Sequence, residues 1–133
     1  SRRIAAAPPA RVKSASAQGA SVTPCAAMRR LLAERPDLDG VFVASDLMAQ
    51  GALQTLLRAG VGLPHDVSVV GFDDSEAAVA CEPPLTTVRQ PVEEMAAELA
   101  RLLLARISQP ERERESAPGS RVFRPVLVER GSA

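Results

Sequence analysis

Two stretches of this chain, VFVA at 41–44 and VSVVGF at 67–72, are apolar with almost no alternation. A strand with one wet face alternates polar and apolar side chains, whereas a strand covered on both faces has no reason to. Between the two runs, Ala49, Leu53, Leu56 and Leu57 recur at helical spacing, and Gly60 offers the stop. Strand, helix, strand is the unit that joins parallel neighbours, and its crossover is right-handed. The pattern predicts an α/β fold: an open parallel sheet flanked by helices on both faces.

The rest of the chain extends that pattern. Thr23-Pro24 reads as a helix cap followed by proline at the first helical position. Cys25, Met28, Leu31 and Leu32 then line one face until Pro36. A short helix is expected at Ser75–Cys81, a break at Glu82-Pro83-Pro84, and a third strand at Leu85–Gln90. Pro91 opens a helix over 92–107 with Glu93 and Glu94 in its first turn, where the helix dipole favours acids. Its apolar stripe is Val92, Met95, Ala96, Leu99, Leu103 and Ile107, which is expected to bury itself on the chain's own sheet or on a second copy. Val122–Glu129 reads as a last strand. Residues 1–22 are weakly patterned, with one short strand expected near Arg11–Ala15, and the alternating charges at 111–115 read as a solvated loop.

Composition removes several classes of function. Sixteen basic and sixteen acidic side chains cancel, so the chain carries no polybasic footprint for nucleic acid. No stretch approaches the ~18 apolar residues of a membrane span. Cys25 and Cys81 form no CxxC, and His65 alone cannot complete a metal set with them, so no metal or cofactor is expected. Two unpaired thiols suit a reducing cytoplasm, and His65, after Pro64, reads as turn chemistry.

In an open parallel sheet, ligands bind outside the carboxyl ends of the strands. Ser45, Asp73 and Gln90 stand at those ends. A hydroxyl, a carboxylate and an amide suit a polyhydroxylated ligand, because the carboxylate can accept from two hydroxyls while the amide donates and accepts. Asp73 is followed directly by Asp74. Asp73 is expected to face the ligand and Asp74 to cap the turn beyond it, as Asp46 is expected to cap the helix after Ser45. Paired acids also suit Mg²⁺, but no nucleophile, activating base or phosphate-cradling glycine run accompanies them, so an enzyme is not expected.

Four pieces carry a resemblance: ASDLMAQGAL at 44–53, GVGLPHDVSVVGFDD at 60–74, PPLTTVRQP at 83–91 and PVLVERGS at 125–132. In that order and spacing, the chain resembles the effector-binding region of the lactose/galactose repressor (LacI/GalR) family of bacterial transcription regulators. The resemblance implies a periplasmic-binding-protein-like fold in which two α/β lobes close on a sugar-like effector. Residues 23–91 would form the C-terminal lobe after a 1–22 leader. Residues 92–120 would hold the crossover helix and loop that pack on the other lobe, and 121–133 the returning strand and tail. It also implies that Asp73, Ser45 and Gln90 face the effector, that the chain forms a homodimer through the helix beginning at Asp46 and the Ser75–Cys81 stretch, and that operator DNA is read by an N-terminal head with no counterpart here. Many relatives carry Asn where Ser45 stands, which shortens the reach of that contact. The arginine that often grips ligand in this lobe is not identifiable among Arg2, Arg3 and Arg11. The competing reading is a periplasmic sugar-binding component of a transport system; PPLTTVRQP and VLVERGS favour the regulator.

Overall fold

The computed structural model describes residues 23–108 and 120–133. Over these residues the chain runs α1 (Pro24–Glu34), β1 (Gly40–Phe42), α2 (Asp46–Arg58), β2 (Ser68–Phe72), α3 (Glu76–Val79), β3 (Thr86–Arg89), α4 (Val92–Ile107) and β4 (Val126–Val128). The expected strand near Arg11–Ala15, the candidates Arg2, Arg3 and Arg11, and the charged run at 111–115 lie outside the described residues.

Local chemistry sets the helix ends. Thr23 Oγ1 accepts from the Ala26 N–H at 3.3 Å and Pro24 occupies the first turn, so α1 starts where the cap and proline place it. Gly60 ends α2 at φ 74°, a left-handed conformation that glycine adopts without a Cβ clash. Its N–H donates to Leu57 C=O at 3.0 Å and the Val61 N–H to Leu56 C=O at 3.1 Å, which satisfies two carbonyls of the last turn.

The sheet has the order β1-β2-β3-β4, and β1–β2 and β2–β3 are parallel. Val41 lies opposite Val69, and Phe72 opposite Val88. Met28, Ala49, Ala52, Leu53, Leu56, Val69 and Leu85 form the buried core, with Ala78 and Cys81 beside them. Each large side chain removed from water contributes about 1.5–3 kcal/mol. The two sheet faces are unequally covered. Phe42 alternates with the Val41 face and is 53% exposed, its ring meeting Phe72 edge-on at a centroid distance of 6.3 Å.

The tail closes the lower end of the sheet. Ser132 is fully buried, and its hydroxyl donates to Val69 C=O at 2.6 Å while accepting from the Thr86 N–H at 2.8 Å. The Val69 N–H in turn donates to Ser132 C=O at 2.7 Å. One hydroxyl therefore satisfies a group on each of two neighbouring strands. Ser132→Ala strands both, and an unmade buried hydrogen bond is costly. The expected loss is about 2 kcal/mol of unfolding free energy, read as a lower urea midpoint at unchanged slope. An unchanged midpoint would remove this role.

Of the described residues, 23–88 and 127–133 belong to one compact unit, and 89–108 with 120–126 to a second. In the second, α4 buries none of its residues; Leu99 is 69% exposed and Val92, Leu103 and Ile107 are each more than half exposed. Within its own unit α4 therefore leaves the apolar stripe uncovered. Glu98 takes Arg101 Nη2 at 2.7 Å and Arg121 Nε at 2.9 Å. The Arg101 hydrogen bond, followed by that of Arg121, holds its carboxyl down at about 2.

Candidate functional site

The parallel register decides which polar groups share a rim. Phe42 lies opposite Val70, and the Val43 N–H donates to Val70 C=O at 2.8 Å. Ser45 lies three residues beyond Phe42 and Asp73 three beyond Val70, so each follows the carboxyl end of one of these parallel strands. The Asp73 N–H donates to Val88 C=O at 3.0 Å, carrying the β2–β3 ladder one step past β2. Gln90 follows β3 directly and is half-buried. Asp73 is exposed and Ser45 half-buried.

One of the sequence expectations needs correction here. Asp46 does not cap α2. Ser45 does, in extended conformation (φ −154°, ψ 154°), with its Oγ accepting from the Met48 N–H at 3.3 Å. That bond uses an oxygen lone pair and leaves the hydroxyl proton to donate. Asp46 is instead fully buried as the first residue of α2. Its Oδ2 accepts from the Ser75 N–H at 2.7 Å and the Ser75 hydroxyl at 3.1 Å, and its Oδ1 from the Thr87 hydroxyl at 2.6 Å. Three donors and the amino end of a helix compensate a carboxylate taken out of water.

Asp74, expected to cap the following turn, immediately precedes the cap position of α3. The cap position of α3 is Ser75, which makes no side-chain cap bond. The Asp74 carboxylate is drawn to Arg130 Nη2 at 2.5 Å, and its side chain is only 5% exposed. Arg130 Nη1 also donates to Leu85 C=O at 2.9 Å, and its backbone N–H to Thr86 Oγ1 at 2.9 Å. The two consecutive acids thus have different surroundings. The chain separates them by turning through positive φ at both, 107° at Asp73 and 55° at Asp74. Such values are rare away from glycine, and Asp is among the residues that tolerate them best.

Sequence reasoning missed the Asp46–Ser75–Thr87 cluster and the Arg130–Asp74 pair. A signal for the first was present: Thr86-Thr87 is a polar pair inside a buried strand, which calls for polar partners. The cysteines take the bland role. Neither is in a disulfide, and burial first, then the Asp46 charge, pushes the Cys81 thiol up, while its Sγ donates to Ala77 C=O at 3.0 Å. Among the described residues no group of three His, Cys, Asp or Glu side chains could hold a metal ion, and no helix is long and apolar enough to cross a membrane.

A sheet whose strands β1, β2 and β3 run parallel, joined by helices, is an α/β fold of the kind that binds ligands outside the carboxyl ends of its strands. Residues 2–133 match the periplasmic binding protein-like domain family. The chain belongs to that family, in the form carried by LacI-type transcriptional regulators. Over 83 residues it is 55% identical to the HTH-type transcriptional regulator CelR of Thermobifida fusca, covering 62% of this chain and 24% of that protein. Over 107 residues it is 39% identical to the ribose operon repressor of Escherichia coli K12, covering 80% of this chain and 31% of the repressor. The solved CelR–cellobiose complex superposes with a TM-score of 0.73 at 46% identity, over 83% of this chain and 32% of that one. The chain therefore spans about a quarter to a third of the length of these relatives.

Proposed function

We propose that this chain is the effector-sensing and dimerising part of a cytoplasmic, non-enzymatic transcriptional regulator that responds to a small carbohydrate. The observation that supports this reading is the parallel pairing of β1 with β2 and of β2 with β3, since Ser45 follows β1 and Asp73 follows β2 in the chain. Asp73 accepts from sugar hydroxyls, Ser45 donates its remaining proton, and Gln90 does both. The relatives are transcriptional regulators, which supports this reading over a transport component. Effector binding favours one arrangement of the regulator over another, and only unequal affinity for the two can change operator occupancy, which an N-terminal head reads. The test is a thermal-shift titration against neutral mono- and disaccharides, including ribose and cellobiose. A saturating rise in melting temperature with at least one sugar is expected; no response to any of them would end the carbohydrate reading.

The dimer contact lies on the outer face of α2 and on α3. Leu47 is 72% exposed, Met48 and Leu57 over 40% each, and Val79 of α3 is 63% exposed. A two-fold interface uses the same patch twice, so each truncation counts twice. Leu47→Ala is expected to cost about 1 kcal/mol per copy and to raise the dimer dissociation constant about thirtyfold, read by sedimentation across a dilution series. A dissociation constant equal to that of the parent would place the contact elsewhere.

A further inference from the structure

We infer that Asp46 and Arg130 are positioning residues for Asp73, holding the two residues that follow it so that the acid stays at the ligand rim. This rests on the effector reading above. Two consecutive L-residues at positive φ, 107° and 55°, form an unfavourable turn that persists only where its surroundings over-determine it. Here every residue of the turn is tied to a different part of the fold. Asp73 is tied through its N–H to Val88 of β3. Asp74 is tied to Arg130, and Arg130 is itself fixed by Leu85 C=O and Thr86 Oγ1. Ser75 is tied through both its N–H and its hydroxyl to Asp46, which Thr87 holds from the other side.

Asp46 has no exposed surface, so it acts on the ligand only through this turn. Two oxygens suit that task, because the one faces the Ser75 donors and the other the Thr87 hydroxyl. An amide at the same place keeps one acceptor and turns the other into a donor that faces the Ser75 or Thr87 hydroxyl. Arg130 is more remote still in sequence, yet its pair with Asp74 fixes the residue adjacent to the ligand-facing acid. Neither Asp46 nor Arg130 is a ligand contact in this scheme.

The test uses the full chain, cellobiose as the probe, the variants Asp46→Asn and Asp74→Asn, and amide hydrogen exchange at Ser75 compared with Val69. Asp74→Asn weakens the Arg130 pair while leaving the Arg130 bond to Leu85 intact. In both variants the Ser75 amide is expected to exchange about tenfold faster, consistent with one weakened hydrogen bond, while the Val69 amide changes little. The cellobiose dissociation constant is expected to rise about tenfold in each, with no further loss when either is combined with Asp73→Asn. A merely structural role would instead speed Ser75 and Val69 together and add its loss to that of Asp73→Asn; either result overturns the proposal. If Asp46→Asn does not fold, Thr87→Val removes one donor to Asp46 at similar volume and is expected to act in the same direction. If Asp73→Asn leaves cellobiose binding unchanged, or the parent chain does not bind cellobiose, the effector reading fails for this sugar, and the comparison of Ser75 with Val69 decides the proposal by itself.

Discussion

Asp73→Asn is expected to weaken sugar binding about 100-fold while leaving the urea midpoint unchanged. A carboxylate that accepts from two sugar hydroxyls makes two charge-assisted hydrogen bonds, each worth roughly 1.5–3 kcal/mol net. Asparagine keeps one acceptor and presents a donor in place of the other, so the loss is about 3 kcal/mol, which corresponds to about two decades in affinity. Asparagine is also the replacement that best isolates the chemistry. The residue sits at φ 107°, which Asp and Asn tolerate better than Ala does. An alanine variant mixes backbone strain with the lost contact. Calorimetric titration measures the change directly, and equal affinity in the two proteins would place the sugar away from Asp73.

Gly71→Ala is expected to destabilise the fold by about 3 kcal/mol, at the upper end of the ordinary cost of overpacking. A Cβ at this position would stand 2.5 Å from Asp46 Oδ1 and 2.6 Å from Leu85 Cδ2. Neither neighbour can yield easily. Leu85 is fully buried, and the Asp46 carboxylate is held by Ser75 and Thr87. Moving the carboxylate stretches those bonds, and moving the leucine disturbs the core beneath β2. Gly40 supplies the control within the same sheet, since its nearest neighbour would be Ser68 O at 3.9 Å, an ordinary contact. Urea unfolding of the two alanine variants should separate them clearly. If Gly71→Ala is no worse than Gly40→Ala, the close approach of Asp46 to β2 is wrong.

The features legible in the sequence were those with local causes. The apolar run at 41–44 overlaps β1 and that at 67–72 contains β2, Thr23-Pro24 starts α1, and Gly60 stops α2. The positions of Ser45, Asp73 and Gln90 after β1, β2 and β3 were legible for the same reason, because a residue past a strand needs only the strand to be placed. What could not be seen depends on distant partners. Ser45 and Asp46 are both good cap residues, and their division of labour is set by Ser75 and Thr87, which lie 29 and 41 residues beyond Asp46. Asp74 is claimed by Arg130, 56 residues away. Helical spacing also placed Leu57 with the core stripe of α2, whereas it is 46% exposed beside the buried Leu56, since spacing alone does not say how wide the covered face is.

The stitch made by Arg130 and Ser132 bears on how the chain emerges during translation. Thr86 waits 44 residues for Arg130 and 46 for Ser132. At ribosomal speeds of ~5–20 residues per second, that interval is about 2–9 s. Throughout it the nascent chain presents the Val69 carbonyl and the Thr86 amide without their partner, an open seam between neighbouring strands that a chaperone or another nascent chain can reach first.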